Sequence, residues 1–199
     1  GEGRDTESTN ENARYEYFDE VEQSDGEYTW TDHVFLGSMQ QRDGFVEIYD
    51  AEWQLLARRV DENAPGKSLA EMQADAAFKA AWDKISDYLP ENAQDEDALK
   101  FTENEWGEIF VFDAQGDLAL RINVWENENV WRNYGHGADE YKFTKSLDSN
   151  FNVSDADWNQ LASIGSWERY RVDAENRDAA LLVDVSVSVD PADPNPPYY

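Results

Sequence analysis

The chain has 199 residues, of which 44 are Asp or Glu and 16 are Lys or Arg, so its formal net charge is −28. With so few cations it has no basic patch for phosphates, which excludes nucleic acids as partners. The absence of cysteine excludes disulfides, thiolate metal sites and cysteine nucleophiles. No apolar run approaches the roughly 18 residues that cross a bilayer, so we expect no membrane span.

The acidic excess indicates the environment in which the protein works. A surface this acidic repels itself in dilute buffer and needs dense counterions to stay compact. Molar salt shortens the Debye length to about 3 Å and screens that repulsion, so we expect a hypersaline setting with salt counterions as constant partners. Disorder is the usual alternative, but 40% hydrophobic and 14% aromatic residues favour a packed core. Mimicry of nucleic acid is disfavoured because the acids are spread along the whole chain.

The first half of the chain predicts a polar tail, a series of strands and one long helix. Residues 1–12 contain almost no apolar side chain and predict a tail. Ser68 and Glu71 form a capping box, and apolar residues then recur at helical spacing until Pro90, which predicts an amphipathic helix at about 69–89. Before that helix, aromatic and β-branched residues predict strands at 15–18, 28–36, 45–49 and 54–60.

The second half predicts hairpins, a long loop and a second helix. Alternating apolar residues predict a hairpin of strands 108–113 and 118–125. The polar, Asn-rich stretch 126–149 predicts loop, and the N-cap pattern at Ser154 predicts a short helix at about 154–164. The final predicted strands are 167–172 and 180–189. Residues 190–199 carry four prolines and predict an extended tail.

These elements favour an α+β fold. We expect a mostly antiparallel β-sheet, shaped as a sandwich or barrel, with the long helix packed on one face, because hairpins rather than βαβ units join the strands. The expected organisation is a tail at 1–12, a single domain at 13–189 and a Pro-rich tail at 190–199.

A short pattern recurs at three predicted turns. Each has an apolar residue, Asp, Ala and then an acid or amide, with the Asp at positions 50, 113 and 173. The pattern indicates either a structural repeat or three ordinary hairpin turns, since Asp is a common turn residue.

One segment is a candidate cation site. Asp148, Asn150, Asn152 and Asp155 place oxygen atoms at alternating positions, which resembles the start of an EF-hand or dockerin calcium loop. The match departs from that pattern at Val153, where the motif needs glycine. The alternative is that the segment only caps the predicted short helix. A calcium or other cation is the one cofactor we predict, and we predict no catalytic residue.

Aromatic residues and one histidine form the predicted interaction set. The eight Trp could build a binding surface, although packing is the more frequent role of Trp. His136 lies between two glycines that let a ligand approach the backbone, whereas His33 lies in a predicted strand and is expected to be structural. The predicted interaction residues are Trp125, Trp131, Tyr134, His136, Tyr198 and Tyr199.

Three functions are compatible with these features. We expect first a non-enzymatic structural subunit of an extracellular or viral assembly from a halophilic source, which binds copies of itself or other subunits through its tails. An extracellular ligand-binding or sensor domain is the second, because the predicted helix followed by the hairpin 108–117 resembles extracellular sensor domains. A carbohydrate-active enzyme is the third, with Glu103, Glu105 or Glu108 as its acid. The chain begins at Gly1, which favours a processed protein at an extracellular or virion surface.

Overall fold

Two antiparallel sheets form the protein. The computed structural model describes residues 3–5, 13–42, 44–64, 66–132, 143–172 and 180–192. In each sheet the order of the strands is the order of the chain. The first sheet contains β1 (Gly3–Asp5), β2 (Arg14–Ser24), β3 (Thr29–Arg42), β4 (Phe45–Asp50) and β5 (Leu55–Val60). The second contains β6 (Lys100–Glu103), β7 (Glu108–Phe112), β8 (Leu118–Arg132), β9 (Phe143–Asp155), β10 (Gln160–Val172) and β11 (Ala180–Pro191).

Short helices connect the sheets and correct the prediction of one long helix. The segment contains α1 (Leu69–Met72) and α2 (Ala76–Ile85), followed by single 3₁₀ turns at Ser86–Tyr88, Glu91–Ala93 and Glu96–Ala98. The predicted capping box of Ser68 and Glu71 is present. The helix is interrupted because the Asp75 carboxylate accepts a hydrogen bond from the Phe78 N–H and starts a second helix. None of the helices in the described ranges is long and apolar enough to span a membrane.

The main core lies between α2 and one face of the second sheet. Phe78 and Trp82 stack on each other, and Trp82 meets Phe101 edge-on at a ring-centroid distance of 5.4 Å. Phe78 also contacts Phe151 on β9, with the ring centroids 6.2 Å apart. We call this side of the sheet the helix face.

The opposite side of the second sheet meets the first sheet at a smaller apolar cluster. The rings of Phe45 on β4 and Phe110 on β7 lie 4.7 Å apart, and Val60, Phe112 and Leu118 are buried beside them. Val60 donates its N–H to the Gly116 carbonyl at 2.8 Å. The two sheets are therefore joined by apolar packing and by backbone pairing.

Trp158 closes this junction in an unusual backbone conformation. Its φ is +66°, and Trp53 has a similar φ of +62°, values that bulky residues rarely adopt. The guanidinium groups of Arg58 and Arg121 lie 4.6 and 4.7 Å from the Trp158 ring centroid. Arg58 belongs to the first sheet and Arg121 to the second. Cation–π contacts from both sheets therefore hold this ring at the junction.

Two predictions for the second half of the chain are wrong. The stretch 126–149, predicted as loop, contains the end of β8 and the start of β9, and the segment 154–164, predicted as helix, contains the end of β9, a turn and the start of β10. Polar residues lie on one face of β9 and obscure its alternation. Asp155 accepts the N–H groups of Asp157 and Asn159, which closes a hairpin instead of starting a helix.

The same turn occurs four times among the described residues. The first residue accepts two backbone N–H groups on its side chain, from the residues two and four positions later, and the fourth residue has a positive φ. Of the predicted repeats, the turns at Asp50 and Asp113 have this form, and the one at Asp173 lies outside the described residues. The other two turns begin at Asn104 and Asp155. This distribution indicates a recurrent hairpin turn rather than a repeat of about 60 residues.

Candidate interaction surfaces

The first candidate surface is a two-stranded arm, formed by 18–24 of β2 and 29–35 of β3. β1 pairs with 15–17 of β2, and β4 pairs with 37–42 of β3. Between those limits and the hairpin turn, the two strands pair only with each other among the described residues. The arm has seven residue pairs, and a rise of about 3.3–3.4 Å per residue along each strand gives it a length of about 23 Å.

Local backbone geometry sets where the arm leaves the first sheet. The register of β2 and β3 shifts between Tyr17 and Phe18, which marks a β-bulge, and bulges bend a strand. Gly37 lies at the same level with φ of 151°, and a Cβ there would be 2.3 Å from the Tyr49 carbonyl oxygen. Phe35 stacks on Trp53 with ring centroids 5.1 Å apart. The base of the arm is therefore fixed against the sheet.

The outer part of the arm exposes large apolar side chains between carboxylates. Trp30 is 45% exposed and Val34 is 46% exposed, and both lie on the same face of β3. Tyr28 and Leu36 are exposed as well. The acidic residues of this hairpin and its turn are Asp19, Glu20, Glu22, Asp25, Glu27 and Asp32. His33, predicted to be structural, is exposed, with its Nδ1 atom 3.9 Å from the Glu20 carboxylate.

The second candidate surface is the side of the second sheet opposite the helix face, beyond the junction. We call it the tryptophan face and define it by Trp125, Asn127, Asp148, Asn150, Asn152, Ser163 and Trp167. Trp125 on β8 lies opposite Asn150 on β9, and Trp167 on β10 lies opposite Asp148. Trp125 is 60% exposed and Trp167 is 38% exposed. The two indoles therefore flank a strand that presents amide and carboxylate groups.

Hydrogen bonds orient the polar groups of this face. Ser163 Oγ lies 2.6 Å from Asn150 Oδ1 and 3.1 Å from Asn152 Oδ1. The serine has a single proton, and the shorter contact assigns it to Asn150 Oδ1, so the Asn150 amide nitrogen is left to donate elsewhere. Asp148 Oδ1 is buried without a hydrogen-bond partner among the described residues. Gly165 lies between Asn150 and Ser188 on the neighbouring strands, and because it has no side chain the surface is open at that position.

The structure separates the predicted cation ligands. Asp148, Asn150 and Asn152 lie on β9 with their side chains on one face, whereas Asp155 is the last residue of the strand and belongs to the other face. Asp155 is engaged by the N–H groups of Asp157 and Asn159 and by the Asn159 side chain. In the part of the chain that the structure describes, no group of three or more His, Cys, Asp or Glu residues is placed to hold a metal. The loop expected from the EF-hand pattern is replaced by a strand, and cation binding stays a prediction.

Part of the predicted interaction set lies on the tryptophan face. Trp125 belongs to that face, and Trp131 lies six positions later on β8. Tyr134, His136, Tyr198 and Tyr199 lie outside the described residues.

The candidate acids of a carbohydrate-active enzyme are engaged by cations or exposed at a turn. Lys67 Nζ donates to Glu103 Oε2 at 2.7 Å, and Arg121 Nη2 donates to Glu108 Oε2 at 2.6 Å. Glu103 and Glu108 border a groove of about 400 Å³, and Glu105 lies in the exposed turn that follows Asn104. Glu103 and Glu108 are therefore each engaged in an ion pair with a cation of their own.

Two members of the tryptophan face were not predicted from the sequence. Asn127 was missed because 126–149 was predicted as loop, and Trp167 because register between distant strands is not visible in one sequence. A period of two in the polar residues 144–152 was the available signal for β9. Comparisons with protein-family models, with curated proteins and with solved structures find no match for this chain.

Proposed function

We propose that this chain is a non-enzymatic structural subunit of an extracellular or viral assembly in a hypersaline environment. The arm is the observation that supports this function. A two-stranded ribbon is at best marginally stable by itself in water and needs a third strand or an apolar surface to cover it. The arm extends from the first sheet with Trp30 and Val34 exposed. Among the described residues, neither a third strand nor an apolar surface covers it.

A second subunit would supply what the arm lacks. Both edges of the arm present backbone N–H and C=O groups that another strand can pair with. The exposed Tyr28, Trp30, Val34 and Leu36 provide the apolar and aromatic area that is typical of interface centres. The simplest partner is another copy of the chain, since the same surface is then available on each side of a two-fold contact.

The charge of the arm sets the condition for this contact. Six carboxylates accompany the apolar residues, so two arms repel each other at low ionic strength. At molar salt the Debye length falls to about 3 Å and the repulsion is screened, while apolar burial remains favourable. Assembly is therefore expected to strengthen with salt, which is opposite to the behaviour of an interface held by ion pairs.

Light scattering coupled to size exclusion tests the proposal. Wild-type protein is expected to form a defined oligomer in 2 M NaCl and to dissociate at low salt. The double variant Trp30→Ser, Val34→Ser is expected to be monomeric at both salt concentrations, because it removes the apolar contacts of the arm. Trp106→Ser is the matched control, since Trp106 is 66% exposed at a turn outside the arm. A wild-type monomer at both salt concentrations, or an arm variant that still assembles, would overturn the proposal.

A further inference from the structure

We propose that the tryptophan face binds a neutral oligosaccharide, with sugar rings on Trp125 and Trp167 and hydroxyl groups on the polar side chains between them. This is a function beyond assembly and does not depend on the arm. The supporting observation is that two indoles are exposed on a regular antiparallel sheet, Trp125 at 60% and Trp167 at 38%. Flat apolar faces of sugar rings pack on such rings, as apolar groups generally pack on exposed aromatics.

The sheet geometry fixes the spacing of the two indoles. Trp125 and Trp167 are two strands apart and one side-chain row apart. Strand spacing of about 4.8 Å and a rise of about 3.4 Å per residue place their Cα atoms about 12 Å apart. That separation exceeds a single sugar ring, so the geometry favours a chain of several sugars over a monosaccharide.

The polar groups between the indoles match the hydroxyls of a sugar. Ser163 donates its proton to the carbonyl oxygen of Asn150, so the Asn150 amide nitrogen is oriented to donate a hydrogen bond, and Asn152 adds a second amide beside it. Asp148 adds a half-buried carboxylate to the same row, and its Oδ1 atom is enclosed by the protein. Vicinal hydroxyls both donate and accept, and they can satisfy donors and acceptors placed side by side.

The charge of this face argues for an uncharged ligand. Around the two indoles, the described charged side chains on this face include the carboxylates Asp148 and Asp184 and the guanidinium of Arg169, which lies opposite Asp184 and 5.7 Å from the Trp167 ring centroid. These charges nearly balance, so the site itself offers little attraction to a polyanion or a polycation, although the whole chain has a net charge of −28. Protein partners usually require a continuous apolar centre, whereas here amide groups separate the two aromatic rings.

Titration calorimetry in 2 M NaCl tests the site with neutral hexasaccharides of α-linked glucose, β-linked glucose, β-linked N-acetylglucosamine and mannose. Wild-type protein is expected to bind at least one of them. Trp125→Ala and Trp167→Ala are each expected to weaken that binding about tenfold or more, as for loss of one central aromatic contact. Trp125→Phe is expected to keep part of it, because a ring remains.

Two controls separate this inference from effects on folding and assembly. Trp106→Ala removes an exposed indole elsewhere and is expected to leave sugar binding unchanged. Circular dichroism and light scattering of each variant show whether its fold and oligomer are those of wild type. Failure of wild type to bind any of the four sugars overturns the inference, and so does binding that survives Trp125→Ala combined with Trp167→Ala. Loss of the oligomer in Trp125→Ala without sugar binding in wild type would assign the face to protein contact instead.

Discussion

Glu168 is a buried carboxylate on the helix face of the second sheet. Its side chain is 1% exposed, and neither carboxylate oxygen has a hydrogen-bond partner among the described residues. Leu147 and Val185 lie opposite it on the neighbouring strands. Burial raises the pKa of Glu168 above its ordinary value of 4.5, and the charges of Asp75 and Glu126 add to the increase, whereas Tyr170 and Lys145 oppose it. Burial therefore favours the neutral form of Glu168 more than water does.

This raised pKa predicts a pH dependence of stability. Glu168 contributes stability that is fully present below the pKa of the unfolded-state carboxyl and is lost as the pH rises through the higher folded-state pKa. Glu168→Gln, which keeps the shape but cannot ionise, is expected to gain stability relative to wild type as the pH rises from 4 to 8. Urea denaturation of both proteins across this range measures the difference.

A matched control separates the effect of burying the carboxylate from the effect of removing one negative charge. Glu22→Gln removes an exposed carboxylate from the arm and changes the net charge by the same amount. A stability difference between wild type and Glu168→Gln that stays constant from pH 4 to pH 8 would contradict the prediction.

At the scale of elements, the four recurrent turns depend on one side chain each. The Asp113 carboxylate accepts the N–H groups of Gln115 and Asp117, both at 2.9 Å, and the side chain of Asn92 at 3.1 Å. The Asp50 carboxylate accepts only the N–H groups of Glu52 and Gln54. Asp113 is buried, whereas the hydrogen bonds of Asp50 are exposed to water.

These two turns predict different costs for the same substitution. Asp113→Ala leaves partly buried donors without an acceptor beside a buried site and is expected to lower the free energy of unfolding by about 2 kcal/mol. Asp50→Ala is expected to cost about 1 kcal/mol or less, because water replaces the lost acceptor. Urea denaturation measures both changes. Equal losses in the two variants would show that burial does not set the cost of losing this turn.

The sequence predicted the elements whose local signals agree with their tertiary setting. The capping box at Ser68, the alternation in the hairpin 108–125 and the alternating valines of 183–189 gave a helix start and strands that the structure contains. The mostly antiparallel β-sheet is confirmed. The helix predicted at 154–164 was wrong because Asp155 closes a hairpin with the same acceptor chemistry that starts a helix.

The candidate surfaces were less accessible to prediction. Trp125 was singled out for its residue type, but its neighbours Asp148 and Trp167 come from strands whose register depends on long-range pairing. The arm was missed because the polar stretch 19–24 was not predicted as strand, and because the predicted strand 28–36 has the same composition as a covered strand. Whether a strand is covered by other elements is a property of the whole fold and is not encoded in its own residues.

For the whole molecule, cations are concentrated where the two sheets meet. Arg58 and Arg42 both bind Glu47, Arg59 binds Asp117, and Arg121 binds Glu108, with donor–acceptor distances from 2.6 to 3.2 Å. The remaining surface has a large excess of carboxylates, as the net charge of −28 requires. Ion pairs are thus most frequent at the junction, with isolated pairs elsewhere such as Lys67–Glu103 and Lys145–Glu128, while repulsion between carboxylates dominates the rest of the surface.

This distribution predicts stabilisation by salt. Raising NaCl from 0.1 to 2 M is expected to screen more repulsion than attraction and to raise the free energy of unfolding by about 3 kcal/mol, or the Tm by about 6–12 °C. Thermal unfolding followed by circular dichroism measures the shift. Sucrose at matched osmolality is the control, because it strengthens burial without screening charge. An unchanged Tm between the two salt concentrations would argue against adaptation to high salt.

The strand order of the two sheets has a consequence for synthesis. Every strand pairs with the strand that precedes or follows it in the chain, so no ladder has to wait for a distant segment. The first sheet is complete at Val60, before the helices and the second sheet have left the ribosome. A nascent chain of that length already presents the arm, so the proposed assembly role predicts that subunits translated side by side engage one another while their C-terminal halves are still being made.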